Sequence, residues 1–269
     1  MPMVTVVMPA HNAEHTLGWA ISSVLAQTLT DWQLVIADDG STDQTFPIAT
    51  AAAQLDSRIT VVRLAQQQGP AVARNTVLAQ ATGRFLAFLD ADDLWLPHKL
   101  EHQLAFHQAH GALLSGTAYW RVNANWQGGI SRWLAQPPHQ TSLIPIPEKL
   151  DYSSMTWHNG IGCGTALFDR LAAPTARMPN LPGAEDWGLW LALLRCGRLA
   201  YGLAEPLTVY RAGGSTAMTA HPLRLVKAAF RLLHEVEGFS AAGALRRVVR
   251  HSLTTTRRRD LAQLSPAAN

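Results

Sequence analysis

The chain has 269 residues, of which 48% are hydrophobic and 15% charged: enough apolar material for one large domain, with or without an appendage, and too little charge for general disorder. The net charge of +3 does not by itself point to nucleic acid, and it is unevenly placed: from His221 to Asn269 nine basic residues stand against three acidic ones, a local +6 that leaves the rest at −3. Two cysteines, Cys163 and Cys196, lie outside any metal-binding spacing, which excludes a disulfide scaffold and fits a reduced, cytoplasmic setting.

The first half alternates short β-rich runs with helical spacing. Val4–Met8 is a β-branched run stopped by Pro9, and Thr16–Gln27 repeats apolar residues at helical intervals. Trp32–Ala37 reads as a second strand, Asp43–Leu55 as a helix, Ile59–Leu64 as a third strand, Ala71–Ala81 as a helix, and Phe85–Leu89 as a fourth strand running directly into Asp90. This order predicts an α/β fold, a mostly parallel Rossmann-like sheet with helices on both faces. Such sheets bind ligands beyond the C-terminal ends of their strands, where Pro9–Asn12, Asp38–Gly40 and Asp90–Asp93 fall. Gly116–Pro147, rich in Trp, Gly and Pro, reads as irregular or antiparallel. Asp186–Cys196 reads as a helix, Leu199–Tyr210 as a strand, and His221–Val236 and Gly243–Leu253 as amphipathic helices. No signal-peptide pattern opens the chain, and no apolar run approaches the roughly 18 to 20 residues of a membrane span.

The strongest chemical signal is Asp90-Ala91-Asp92-Asp93 after an apolar strand. Carboxylates this close repel one another unless a cation sits between them, and hard oxygen ligands suit Mg²⁺ or Mn²⁺, which also bind diphosphate oxygens. The plainer reading is that Asp92 or Asp93 caps a following helix. In Asp38-Asp39-Gly40-Ser41-Thr42-Asp43, Gly40 permits a tight turn and Ser41, Thr42 or Asp43 a helix cap, while a carboxylate is placed to accept a uracil imide N–H or a ribose hydroxyl. Arg74, near the start of a helix, reads either as a base or phosphate ligand or as a solvated side chain.

These motifs, Val4–Asn12, Asp38–Asp43, Gly69–Asn75 and Phe88–Asp93, resemble glycosyltransferase family 2, whose fold is called GT-A. Gly183–Trp190 resembles the family's Glu-Asp-Trp segment and Leu207–Arg211 its closing Tyr-Arg strand, so the resemblance runs over roughly residues 3 to 215. It implies an inverting hexosyl- or glycosyltransferase using a nucleotide-diphosphate sugar, with UDP-sugars favoured, and a divalent Mn²⁺ or Mg²⁺. It implies an acceptor hydroxyl on a glycan or lipid-linked acceptor, in polysaccharide or lipopolysaccharide synthesis. By position, Pro9, His11, Asp39 and Arg74 fall to the nucleotide, Asp90 and Ala91 to the ribose or donor, Asp92 with Asp90 to the metal, Glu185 and Trp187 to substrate, and Asp186 to the catalytic base. His11 stands where the family usually has Tyr, and Ala212-Gly213-Gly214-Ser215 lacks a His often found there. His158 reads either as facing the acceptor or, as such a His more often does, as a structural or solvated side chain.

The expected division is a catalytic domain over residues 1–215 and a basic helical extension over 216–269. For His221–Val236 packing on the domain is the expectation; for Arg246–Arg259, contact with an anionic membrane or acidic partner. The turn after the first strand lacks the Gly-x-Gly-x-x-Gly of dinucleotide binding, and the acidic cluster follows the fourth strand rather than the first, unlike a HAD-type phosphatase. A catalytically silent sugar-nucleotide-binding protein is the alternative, and Asp186 argues against it.

Overall fold

The computed structural model describes residues 2–212 and 222–264, with side chains as far as residue 254. Ten strands form one sheet. Its parallel half comprises β1 (Val4–Ala10), β2 (Trp32–Asp38), β3 (Ile59–Arg63) and β4 (Phe85–Phe88), in the order β3-β2-β1-β4. The helices between them are α1 (Leu17–Leu25), α2 (Thr45–Leu55) and α3 (Pro70–Gln80). Strand alternation sorts the apolar side chains into two cores. Val6, Met8, Leu34 and Ile36 pack with Leu17, Ile21 and Val24 on one face. Val7, Val35, Leu86 and Phe88 pack with Ala73, Val77 and Leu78 on the other. Helices on both faces are what the sequence order predicts.

The second half continues the same sheet. Asp93 leads not into a helix but into β5 (Leu94–Trp95), and α4 (Lys99–Ala109) begins only after Pro97. The segment expected to be irregular or antiparallel contains a regular ten-residue strand, β6 (Leu114–Asn123), then α5 (Ile130–Ala135) and the short β7 (Ser142–Ile144), which pairs antiparallel with β6. Gly116 belongs in that strand because a Cβ there would lie 2.6 Å from the Ile146 side chain: it marks close packing, not a turn. Next come β8 (Lys149–Leu150), α6 (Tyr152–Trp157), β9 (Leu167–Asp169), α7 (Glu185–Leu194) and β10 (Ala200–Ala212). The sheet order is completed as β4-β9-β6-β10-β5. β9 runs antiparallel to β4 and β6, whereas β10 runs parallel to β6.

The basic segment forms α8 (Pro222–Arg231), a π-turn over Leu232–Val236, and α9 (Ala241–Leu264). Ala228, Ala229, Leu232, Leu233, Ala244 and Val248 are buried in the same core as α7. Arg247 lies over the Trp157 and Phe239 rings at 4.4 and 3.8 Å, fixing α9 against α6. α8 therefore packs as expected; the first part of α9 packs on the domain too, through Ala244, Arg247 and Val248, although membrane or acidic-partner contact is the expectation from Arg246 onward.

Candidate active site

The C-terminal ends of β1, β2 and β4 open onto one cavity of about 750 Å³, within the size range of small-molecule and cofactor sites. Two loops are laced together at its first edge. Asn12 takes a left-handed φ of 47°, which Asn tolerates; its side-chain oxygen accepts the Thr42 N–H at 3.0 Å, and its own N–H donates to Ser41 Oγ at 3.1 Å. Thr45 Oγ1 accepts the Ala13 N–H at 2.7 Å, and Asp43 accepts those of Glu14 and Thr45 at 3.1 and 2.9 Å. The hydroxyls and carboxylate expected to cap α2 thus bind the two loops to each other. The N-cap itself is Gln44, with no side-chain cap.

Asp39 is buried, and its two carboxylate oxygens accept the backbone N–H groups of Gln68 and Gly69, each at 2.8 Å. It fixes the approach to α3, which carries Arg74. Gly40 is required beside it: its φ is +65°, and a Cβ would lie 2.7 Å from the Gln66 and Gln67 backbone. Asp38, fully buried, is ion-paired to Arg63 at 3.2 Å. His11 contacts the Asp39 carbonyl through Nδ1 at 2.8 Å and lines the cavity with Pro9.

The acidic cluster separates into three roles. Asp93 is buried and accepts the Arg211 backbone N–H at 2.9 Å, which joins the strand-end turn to β10. It caps no helix, because the residues after it pair as β5 with β10. Burial, then the neighbouring Asp92 and Asp90 charges, hold its carboxyl well above the ordinary range. Asp92 is exposed to the cavity, yet the surrounding protein removes enough water, with Asp90 adding like charge, to push it up to about 6. Asp90 pairs with Arg74 at 2.5 Å and keeps 29% of its side chain exposed. Arg211 locks this turn from behind: Nε donates to the Asp92 carbonyl at 2.6 Å, and the two terminal nitrogens to the carbonyls of Trp126 and Gly128 at 3.0 and 2.6 Å. It also lies 4.7 Å from the Trp126 ring centroid.

Glu185 and Asp186 open α7, whose N-cap is Ala184, so both sit where the helix dipole favours negative charge. Glu185 is buried, accepting from the Gly183 N–H at 2.5 Å and from Arg74 at 3.3 Å. Arg74 is thus not solvated, although it lines the cavity. It is buried between Asp90, 16 residues away in sequence, and Glu185, 111 residues away, and ties the two acidic motifs together. Asp186 lines the cavity. Its Oδ1 accepts the Trp187 N–H at 2.6 Å and its Oδ2 the Asn159 amide at 3.4 Å. Loss of water, then the Glu185 charge, pushes it up to about 7, a range suited to taking a proton at neutral pH.

Beyond Asp186 the wall is aromatic. Trp187 is buried, donating Nε1–H to the Met155 carbonyl at 2.8 Å, with its ring stacked on His251 of α9 at 4.7 Å. His251 in turn meets His158, Nδ1 to Nδ1, at 3.2 Å. The site residues that the resemblance implies all line this one cavity: Pro9, His11, Asp39, Arg74, Asp90, Ala91, Asp92, Glu185, Asp186 and Trp187; Asp38 and Asp43 do not. Asn159, Tyr119 and His251 line it as well. Asn159 sits in the irregular Trp157–Gly160 segment, where no periodicity marks it. His251 hides in a helix whose basic face dominates the sequence signal.

Residues 5–172 match the family model described as "Glycosyl transferase family 2". The chain belongs to glycosyltransferase family 2. Family 2 enzymes are inverting glycosyltransferases. Among this enzyme's relatives is the putative teichuronic acid biosynthesis glycosyltransferase TuaG of Bacillus subtilis, 38% identical over 210 residues, 78% of this chain and 79% of TuaG. Another is the UDP-Glc:alpha-D-GlcNAc-diphosphoundecaprenol beta-1,3-glucosyltransferase WfgD of Escherichia coli, 36% identical over 72% of this chain and 70% of WfgD. In fold the family 2 chain matches S. aureus TarS 1–349 in complex with UDP-GlcNAc, with a TM-score of 0.67 at 19% identity, covering 92% of this chain and 70% of TarS 1–349. It also matches the mannosyltransferase PcManGT from Pyrobaculum calidifontis in complex with GDP-Man and Mn²⁺, with a TM-score of 0.64 at 18% identity, covering 95% and 75%. At that identity the two structures support the GT-A fold alone.

Proposed function

We propose that this family 2 enzyme transfers a sugar from a UDP-sugar to a hydroxyl of a lipid-diphosphate-linked glycan in cell-surface polysaccharide assembly, with Asp186 as base. The observation that carries this reading is the Arg74 bridge: one buried guanidinium holds Asp90 of the acidic cluster and Glu185, the neighbour of Asp186, in a single cavity. Relatives named for undecaprenyl-diphosphate acceptors support the acceptor class.

The residues fit a divalent cation. Asp92 faces the cavity in a crowd of carboxylates whose mutual repulsion a cation relieves, and hard oxygen donors suit Mn²⁺ or Mg²⁺. Asp92 would hold it with Asp90, and when bound it would offset the charge developing on the diphosphate. Asp186 accepts the acceptor's proton as the hydroxyl attacks the anomeric carbon from the side opposite the diphosphate. Trp187 N–H and Asn159 orient its carboxylate for that transfer. Arg74 and Arg211 hold the two acidic turns in place. Pro9, His11 and the loop fixed by Asp39 line the end of the cavity assigned to the nucleotide, with Ala91 beside the donor. We read residues 1–215 as the catalytic domain and 216–269 as its helical extension.

The test is a panel of UDP-, GDP- and dTDP-sugars offered with a short-chain GlcNAc-diphospholipid and followed by product mass. Transfer from a UDP-sugar is expected; release of UDP with no glycosylated lipid from any donor would remove this acceptor, and no turnover of any donor would favour the silent binder.

Membrane contact belongs to the same reading. No helix among the described residues is long and apolar enough to cross a membrane. Leu245, Val249 and Leu253 nevertheless form an exposed stripe along α9, and Leu223 and Val226 lie exposed on α8, beside exposed Arg224, Lys227, Arg231, Arg246 and Arg250. Apolar and cationic side chains interleaved in this way suit an anionic lipid surface. Arg257–Arg259 lie beyond the described side chains. Flotation with phosphatidylglycerol vesicles is expected to carry the protein upward and phosphatidylcholine vesicles to leave it behind. Equal behaviour on both would remove the electrostatic contact.

A further inference from the structure

Away from the cavity, four side chains from two elements converge at the N-terminal end of α4. His98 stands at its N-cap and Glu101 and His102 in its first turns. One ligand atom from each of these three lies within 4.8 Å of the others. The His98 and His102 rings, one helical turn apart, are parallel within 13° at a centroid distance of 5.2 Å. Glu101 is oriented by the Thr28 hydroxyl, which donates to its Oε2 at 2.5 Å, and that same oxygen lies 3.7 Å from His98 Nδ1.

The fourth group comes from β10. The pairing of β10 with β6 shifts register on either side of Pro206, as expected where a proline removes a ladder donor and the strand bulges. The neighbouring Glu205 meets His102 Nδ1 at 2.9 Å. A carboxylate accepting the Nδ1 proton of an imidazole fixes the neutral tautomer and leaves Nε2 as the ring's lone-pair nitrogen, which is how metal-binding histidines are held ready in proteins.

We propose that His98, Glu101 and His102, with Glu205 behind His102, form a second metal site that takes a borderline transition ion such as Zn²⁺. Two imidazole nitrogens and a carboxylate make three protein ligands, leaving a tetrahedral ion one position for water. The donor set differs in kind from Asp90 and Asp92: nitrogen donors select Zn²⁺ over Mg²⁺ and Mn²⁺, whereas an all-oxygen set suits the hard ions. The side chains are 41–56% exposed, so an ion enters from solvent without unfolding anything. Because Glu205 belongs to β10 and the ligands to α4, a bound ion would reinforce the His102–Glu205 link between the helix and the strand that carries Arg211.

The test uses the tag-free full chain and Zn²⁺ alone, competed against a chromogenic chelator and followed in parallel by thermal unfolding. The wild-type chain and its Asp92→Asn variant are both expected to bind one Zn²⁺ tightly and gain a few degrees in Tm. In the His98→Ala/His102→Ala chain that ion and the Tm gain are lost, and Glu205→Ala weakens binding by about tenfold. A double-His variant that binds Zn²⁺ as tightly as the wild type overturns the proposal. So does a wild-type chain that takes no Zn²⁺ from the chelator, or one whose Zn²⁺ is lost with Asp92 rather than with the histidines.

Discussion

The Asp186→Asn variant is expected to lower kcat by about 10²–10⁴-fold while leaving Mn²⁺-dependent UDP affinity within about twofold, because the general base acts in the transition state rather than in donor binding. Asn keeps the shape and still accepts from the Trp187 N–H, so the loss is chemical and not structural. For the native chain, kcat/KM should rise with pH through about 7, since only the ionised carboxylate takes a proton and burial holds it near that value. The stability effect runs the opposite way. The folded value of about 7 stands above the ordinary 3.8, so the folded state binds the proton more tightly than the unfolded one. The native chain therefore loses stability as pH rises from about 4 to 7 and levels off above that. Asn has no such dependence, so at pH 8 the variant should be more stable by about 1–3 kcal/mol, part-exposure already discounted. Stabilisation together with inactivity marks a group strained for function. Full transfer activity in this variant would remove Asp186 from the mechanism. Urea midpoints at pH 5 and pH 8 that shift by the same amount would remove the linkage.

The second large effect belongs to Asp92. Asp92→Asn should weaken Mn²⁺-dependent UDP binding by at least about tenfold, and transfer by about 10²-fold or more, because a hard ion loses an anionic oxygen ligand. Calorimetry of UDP with and without Mn²⁺ separates the two contributions. In the native chain the metal should tighten UDP markedly, in the variant little. Turnover that persists in EDTA, or UDP affinity indifferent to Mn²⁺ in the native chain, would take the cation out of the reaction. Structural damage is not the expected cause of loss. The Asp92 carbonyl, not its carboxylate, carries the Arg211 bond, and the substitution leaves that carbonyl in place.

The parallel half of the fold was legible because local pattern and tertiary placement agree there. In β1 and β2 successive residues go to opposite cores, and each strand ends at a turn whose composition announces it. β6 was not legible. Its Gly116 and aromatic residues resemble loop composition, and its regularity comes from pairing with β10, some 86 residues downstream at Leu114↔Ala200. The same divide runs through the site. The motif carboxylates could be found from short spacings, but their partners could not. That Arg74 is spent on Asp90 and Glu185, that Asp39 is spent on a loop, and that Asp93 ties β10 instead of capping a helix all depend on contacts 16 to 118 residues apart. Asn159 and His251 were missed for that reason: each matters through one neighbour brought close by the fold.

The stacking of His251 on Trp187 carries a consequence for how the enzyme is built. Among the described residues the last strand of the sheet ends at Ala212, and Asp92, Asp186 and Arg211 all precede that point. The wall beside Asp186 is finished by His251, 65 residues after the base, which stacks on Trp187. Domains fold as units, and α9 shares a core with α7 and β4, so the charged machinery and this wall belong to one cooperative assembly. His251 of α9 and Leu225 of α8 both line the cavity, so the basic helical segment is part of the enclosure in which the reaction takes place and not an appendage to it.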